Sequence, residues 1–325
     1  MVPAIRCNVL AVLLVLGVAP LAAQAGDSMP GGSPLLVTSA GSLRQPLADL
    51  LAAFVRENPG VVPRQESGGS VEVVRRSRDS AHVPDVLGTA DYVLIPAFLI
   101  PSHASWYIKI VRNSMVLAYS ERSRFAAEVN AKNWPELLLR PGVRTRRADP
   151  SLDPGAYRVV LIYRLAERFY RRPGLAAQLE GAAPIWTPRP GEDVYAQMAA
   201  GEFDFLWTYQ SQAVSRGLHY VTLPPQLSLG DSTLTAWYAG ASLRIARELG
   251  GPDSIEIRGE PIQYGLTIPI RAPHRALAER FVAFVLSDEG REILRRAGFV
   301  VPALPEAVGP GPLPAELSGR VRYRP

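Results

Sequence analysis

Two short runs of small residues, Ser39-Ala40-Gly41-Ser42 and Ser67-Gly68-Gly69-Ser70, are the first places where this chain could do chemistry. Each lies where an apolar run ends and a helical pattern begins. Leu35, Leu36 and Val37 read as a buried strand, and Leu43, Leu47, Leu50, Leu51 and Phe54 follow at helical spacing. A strand-to-helix turn points free backbone N–H groups and the positive end of the helix dipole at one spot. That spot attracts anions. Ser42 and Ser70 each add an uncharged hydroxyl that can donate to an oxyanion. One serine before one helix reads most simply as an N-cap. Two such turns in consecutive strand–helix units point to a shared site.

The elements that must hold these turns follow from the same patterning. Strand 34–39, turn 40–42 and helix 43–57 form a first unit, stopped by Asn58-Pro59-Gly60. Strand 61–66, turn 67–70 and helix 71–78 form a second, and Asp85-Val86-Leu87 is a third strand. This alternation predicts an α/β fold with a mostly parallel sheet, whose ligands sit beyond the carboxyl ends of the strands. Further on, Ser114 to Tyr119 is an apolar strand, and the loop 149–157 opens a helix carrying Val160, Leu161, Tyr163, Leu165 and Phe169. A short helix spans 192–200, and strand 203–208 ends at Tyr209, with Glu202 and Asp204 read as solvent-facing at its start. Strand 264–270 and helices 275–286 and 288–297 complete the pattern. From Pro302 the chain is rich in Pro and Gly, and 303–325 reads as a disordered tail.

Composition narrows the function classes. The chain has 325 residues, 47% of them hydrophobic, so a substantial core can form. Its formal charge of +5 is carried almost wholly by arginine, since Lys109 and Lys132 are the only lysines, and no basic run is dense enough for nucleic-acid binding. Residues 1–25 read as a signal peptide: Arg6, an apolar stretch from Val9 to Val18, then Ala23-Gln24-Ala25 as a small-x-small cleavage site. The apolar stretch falls short of the roughly 20 residues of a membrane span. The single cysteine, Cys7, lies in the part removed, so the mature chain has no thiol, disulfide or lipid-anchoring cysteine. A monomer exported to the periplasm is expected. The histidines, His82, His103, His219 and His274, stand in no metal-site pattern, and neither a Gly-x-Ser-x-Gly elbow nor a Walker loop occurs. No enzyme and no cofactor are expected, although a Ser/His/Asp triad assembled in space stays open as an alternative.

The runs Ala40-Gly41-Ser42-Leu43, Gly69-Ser70-Val71 with Val74-Arg75, Ala90-Asp91-Tyr92-Val93-Leu94-Ile95-Pro96, Trp106-Tyr107 and Arg112 through Tyr119 occur in a telling order. So do Asp153-Pro154-Gly155-Ala156-Tyr157-Arg158, Gly201 through Leu206 with Tyr209, Tyr220 through Pro225, and Tyr264-Gly265-Leu266-Thr267-Ile268-Pro269. In these residues the chain resembles the periplasmic molybdate/tungstate-binding proteins of ABC importers, in particular the branch best known from archaea. The resemblance implies the type II periplasmic-binding-protein fold, two α/β lobes with the ligand in the cleft between them. Residues 34–114 and 264–302 would form lobe I, and 115–263 lobe II. The ligand implied is molybdate or tungstate, handed to a membrane permease. The implied ligand set is two serines, a loop aspartate, a glutamate and a tyrosine. Ser42, Ser70, Asp153 and Tyr209 fall on matching positions. Glu192 is the glutamate, with Asp193 as the alternative, because the spacing to Gly201 is one residue short.

Two carboxylates beside a dianion repel it. At about 4 Å and an effective dielectric near 20, each pair of unit charges costs about 4 kcal/mol. Asp153 and Glu192 therefore make sense if their oxygens bond the metal itself, raising it from four to six ligands, as the resemblance implies. Without a carboxylate from Glu192 the site would be a simpler tetrahedral one. Sulfate, phosphate or a small organic anion are the alternative ligands. The effector domain of a transcription regulator is an alternative of the same fold, disfavoured by the signal segment.

Overall fold

The computed structural model describes residues 32–186 and 192–325. The predicted signal peptide lies outside the described residues. The strands, in chain order, are β1 (Ser33–Ala40), β2 (Val61–Gly68), β3 (Val86–Thr89), β4 (Tyr107–Arg112), β5 (Met115–Tyr119), β6 (Thr145–Arg146), β7 (Phe205–Tyr209), β8 (His219–Thr222), β9 (Ser242–Ala246), β10 (Ser254–Arg258), β11 (Gln263–Thr267), β12 (Glu306–Val308) and β13 (Arg322–Arg324). They form a seven-stranded sheet in the order β13-β12-β4-β11-β3-β1-β2, a four-stranded sheet β6-β7-β5-β8, and a separate β9–β10 hairpin. The chain leaves the large sheet at 113–114 and returns to it at 259–262. Each sheet carries helices, which gives two α/β lobes.

The large sheet is mixed rather than mostly parallel. β1 runs parallel to β2 and β3, as strand–helix–strand units require, but β11 is antiparallel to β3 and β4. β11 arrives from the other lobe rather than through a local crossover helix, so nothing forces it to be parallel.

Local sequence explains the elements around the site. Leu35 and Val37 of β1 are fully buried between neighbours. The helix Arg44–Glu57 buries Leu47, Leu50, Leu51 and Phe54, with Phe54 edge-on to Phe281 at 5.4 Å between ring centroids. Phe54→Ala would cost about 3–5 kcal/mol through the cavity it leaves. Asn58 ends the helix by donating from Nδ2 to the Phe54 carbonyl at 2.9 Å. In the other lobe the helix Pro154–Phe169 is the central element, with Tyr157, Ile162 and Tyr163 fully buried. Tyr163 accepts from Trp207 Nε1 at 2.9 Å, which fixes this helix to β7.

Residues 303–325 are not a disordered tail. β12 pairs antiparallel with β4, and β13 pairs parallel with β12. Lys109 Nζ contacts Glu306 at 2.9 Å, Leu317 is fully buried, and Tyr323 Oη donates to the Gly309 carbonyl at 2.6 Å. The turn at Gly309 tolerates no side chain, because a Cβ there would lie 2.4 Å from the Ser105 carbonyl oxygen. Each strand has three residues, too few for a periodicity; β12 takes its order from β4, about 200 residues away, and β13 from β12. A second correction concerns Asp204, which is fully buried. Arg124 meets it through Nε at 3.0 Å and Nη2 at 2.7 Å, and the Arg144 amide donates to it at 2.7 Å.

Candidate functional site

Neither serine caps a helix. Ser42 lies inside a 3-10 turn, Gly41–Leu43, that precedes the Arg44–Glu57 helix, and the caps of these two elements are Ala40 and Leu43. Ser70 is the first residue of the helix Ser70–Arg76, whose cap is Gly69. That helix has only seven residues, so its dipole is small. What the turns offer instead is hydroxyl groups of fixed direction. Ser70 Oγ accepts from the Ala90 amide at 2.9 Å. Ser42 Oγ accepts from Tyr264 Oη at 3.0 Å, and Tyr264 in turn accepts from Asn113 Nδ2 at 3.2 Å. A hydroxyl has one proton and two lone pairs, so each serine keeps its proton to give.

Tyr209 ends β7 and is buried, edge-on to Tyr264 with ring centroids 5.7 Å apart. Its Oη accepts from Arg158 Nη1 at 2.7 Å, so this hydroxyl too keeps its proton. Burial holds its proton well above the ordinary tyrosine range, which makes it a donor at any physiological pH.

Asp153 is the N-cap of the Pro154–Phe169 helix and accepts from the Gly155 amide at 2.7 Å. The helix starts here because Pro154 suits the first helical position and Asp suits the cap. Burial pushes the Asp153 carboxyl up, against the pull of the Gly155, Ala156 and Ser70 amides and of the Arg158 guanidinium. The Ser70 amide and Asp153 come from opposite lobes. They meet because Gly69 has no side chain: a Cβ there would lie 2.2 Å from the Leu152 carbonyl oxygen. That oxygen accepts from the Val71 amide at 3.2 Å.

Two adjoining cavities open at this junction. One, of about 220 Å³, is lined by Asp153, Gly155 and Tyr209 together with Arg147, Trp186 and Trp207. The other, of about 540 Å³, is lined by Ser42, Glu192, Asp193, Arg216 and Phe299, and the two share Val194, Tyr195 and Gln212. The structure therefore places Asp153 and Tyr209 on one cavity and Ser42 and Glu192 on its neighbour. Ser70 sits behind the Asp153 loop. Asp193 caps the helix Val194–Ala199, accepting from the Tyr195 amide at 2.9 Å, and lies 3.5 Å from Arg216 Nη1. The approach to Glu192, residues 187–191, lies outside the described residues.

The sequence reading missed Arg158. Arg158 is 2% exposed, and its guanidinium sits 3.1 Å from Asp91 Oδ2. Burial alone would lower its pKa, but Tyr209, Asp91 and Tyr157 around it raise it overall. A buried cation therefore stands directly behind the Tyr209 hydroxyl. The signal was present: Arg158 shares a helix face with Leu161, Ile162 and Leu165, all buried, and a charge on an apolar face calls for a partner.

The arrangement can bind an anion. Among the described residues, His82 pairs with Asp79, His219 with Glu121 and His274 with Asp85. No group of three or more His, Cys, Asp and Glu side chains is placed to hold a metal ion among the described residues.

Residues 35–300 match the family model described as bacterial extracellular solute-binding protein. The chain belongs to that family. A solute-binding protein of Petrotoga mobilis is 38% identical over 284 residues, covering 87% of this chain and 88% of its own. The molybdate/tungstate-binding protein WtpA of Pyrococcus abyssi is 31% identical over 319 residues, covering 89% of this chain and 90% of its own. Among solved structures, the periplasmic molybdate-binding protein of Azotobacter vinelandii superposes with a TM-score of 0.57 at 18% identity, over 82% of this chain and 99% of its own. At that identity the likeness shows the fold: two α/β lobes around a cleft. As a member of the solute-binding family the chain has a binding role.

Proposed function

We propose that this solute-binding protein captures molybdate or tungstate between its lobes, outside the cytoplasmic membrane, and hands it as a monomer to the membrane permease of an ABC importer. The observation that carries this reading is the direction of three hydroxyls. Ser42, Ser70 and Tyr209 each receive a hydrogen bond from a protein donor, at 3.0, 2.9 and 2.7 Å, and each keeps its proton to give. Three hydroxyls of this kind suit a fully deprotonated oxyanion, because each has a proton to give it. A protonated anion would need an acceptor.

Asp153 is the exception, and it selects among oxyanions. A carboxylate beside a dianion is repelled unless it bonds the central atom. Molybdenum and tungsten can accept further oxygen ligands; sulfur and phosphorus in their oxyanions do not. Asp153 and Glu192 would supply those ligands, and the burial that pushes the Asp153 carboxyl up would be offset by the positive central atom. The WtpA relatives, named for molybdate and tungstate, support the same choice.

Titration calorimetry of residues 26–325, stripped of anion, tests the reading. Tight 1:1 binding of tungstate and molybdate with no heat from sulfate or phosphate is expected. Binding of sulfate or phosphate instead would overturn the ligand, and no heat with any of the four would overturn the oxyanion reading.

A further inference from the structure

Arg158 reaches both sides of the cleft. It belongs to the lobe of the small sheet, and its Nη1 donates at 2.7 Å to Tyr209 Oη of that lobe and at 2.7 Å to the Ala90 carbonyl of the other. Asp91, next to Ala90, lies 3.1 Å from Nη2 and accepts from Tyr157 Oη at 2.5 Å through the same oxygen. Ala90 is engaged through both of its backbone groups, because its own N–H donates to Ser70 Oγ. Hydrogen bonds through the Ala90 backbone thus link Ser70 to Arg158 and Tyr209.

Direction matters here more than charge. Asp91 balances the guanidinium, so the pair is neutral as a unit. Arginine has donors and no acceptor, so the Tyr209 oxygen must accept from it and the Tyr209 proton cannot turn toward residue 158. A side chain with an acceptor in that place would draw the proton inward and leave the anion facing a lone pair.

We propose that Arg158 is a positioning residue of the anion site, which keeps the Tyr209 hydroxyl as a donor toward the ligand and ties it to the Ser70 side of the cleft. This rests on the oxyanion reading above. A merely structural Arg158, present only to neutralise Asp91, would be replaceable by a neutral pair of similar shape. Asp91→Asn with Arg158→Gln is that pair, and it introduces the amide oxygen that can accept from Tyr209.

The test is a double-mutant cycle read by tungstate calorimetry on the full mature chain, with a thermal melt to show that each variant is folded. In the wild-type background Tyr209→Phe is expected to weaken binding at least about tenfold, the loss of one hydrogen bond to a charged ligand. The paired variant, Asp91→Asn with Arg158→Gln, is expected to weaken it by a similar factor. Adding Tyr209→Phe to that pair should then cost less than about threefold, because the donor is already lost. A full tenfold further loss would overturn the proposal, as would a paired variant that binds like wild type. If the paired variant does not fold, Arg158→Lys is used with the opposite expectation: an ammonium also has donors and no acceptor, so Tyr209→Phe should still cost about tenfold in that background, and a cost below about threefold would overturn the proposal. A wild-type protein that binds no tungstate sinks the oxyanion reading and this role with it. A wild type that binds, with independent losses, sinks this role alone.

Discussion

Gly69→Ala separates cleft closure from folding. Gly69 has φ −63° and ψ 136°, values any residue adopts, so alanine brings no local strain. Within its own lobe the change should be neutral or stabilising by about 0.4–1 kcal/mol, through a less flexible unfolded chain. Its effect falls on the other lobe. The new Cβ would stand 2.2 Å from the Leu152 carbonyl oxygen and 3.4 Å from Asp153 Cβ. Bringing the first distance to an ordinary contact moves the 152–153 loop by about 1.2 Å relative to the Ser70 helix. That retreat breaks the Val71 N–H bond to Leu152, worth about 0.5–1.5 kcal/mol, and draws the Asp153 carboxyl away from the Ser70 amide. The lost bond alone lowers tungstate affinity by about twofold to 13-fold. Calorimetry gives the affinity, and a ligand-free melt gives the stability. Unchanged affinity would refute the claim that the Ser70 turn and the Asp153 loop act together. A melt lowered as far as a core mutant would show that Gly69 matters for folding rather than closure.

Further outcomes follow from single features. Glu260, half-buried and bonded by Tyr92 Oη at 2.7 Å, has its carboxyl pushed up to about 7, first by burial and then by Asp91. A raised carboxyl pKa stabilises the fold at low pH, so stability should fall between about pH 4.5 and 7 as pH rises, by at most about 3 kcal/mol, and Glu260→Gln should flatten that slope in melts across the window. Removing residues 303–325 should lower the melting temperature by uncovering the β4 edge and the contacts of Leu317, with tungstate stoichiometry unchanged. Asp193→Ala should cost about 1 kcal/mol as a lost helix cap and leave tungstate binding intact, whereas Glu192→Ala should weaken tungstate binding in calorimetry.

The sequence exposed those parts of the site whose causes are local. The turns at Ser42 and Ser70 were legible because each ends a strand and opens a helix within ten residues. The helix after Asp153 was legible because proline and a capping aspartate mark its start. What escaped depends on distant partners. β4 carries a lysine and an arginine among its apolar residues and is a strand because β11 and β12 flank it. Asp204 looked like a surface acid until Arg124 folded over it. The direction of the serine hydroxyls rests on Tyr264 and on the Ala90 amide, 222 and 20 residues away in the chain. The chain, read alone, shows a hydroxyl; only the fold shows what already donates to it.

The most direct measurement is X-ray absorption at the molybdenum edge on the molybdate-loaded protein, for it reports the anion and its ligands together. The account predicts four short oxo bonds and two longer oxygens from Asp153 and Glu192, with the longer pair reduced in Asp153→Asn. A bare tetrahedral spectrum, unchanged by that substitution, would contradict it.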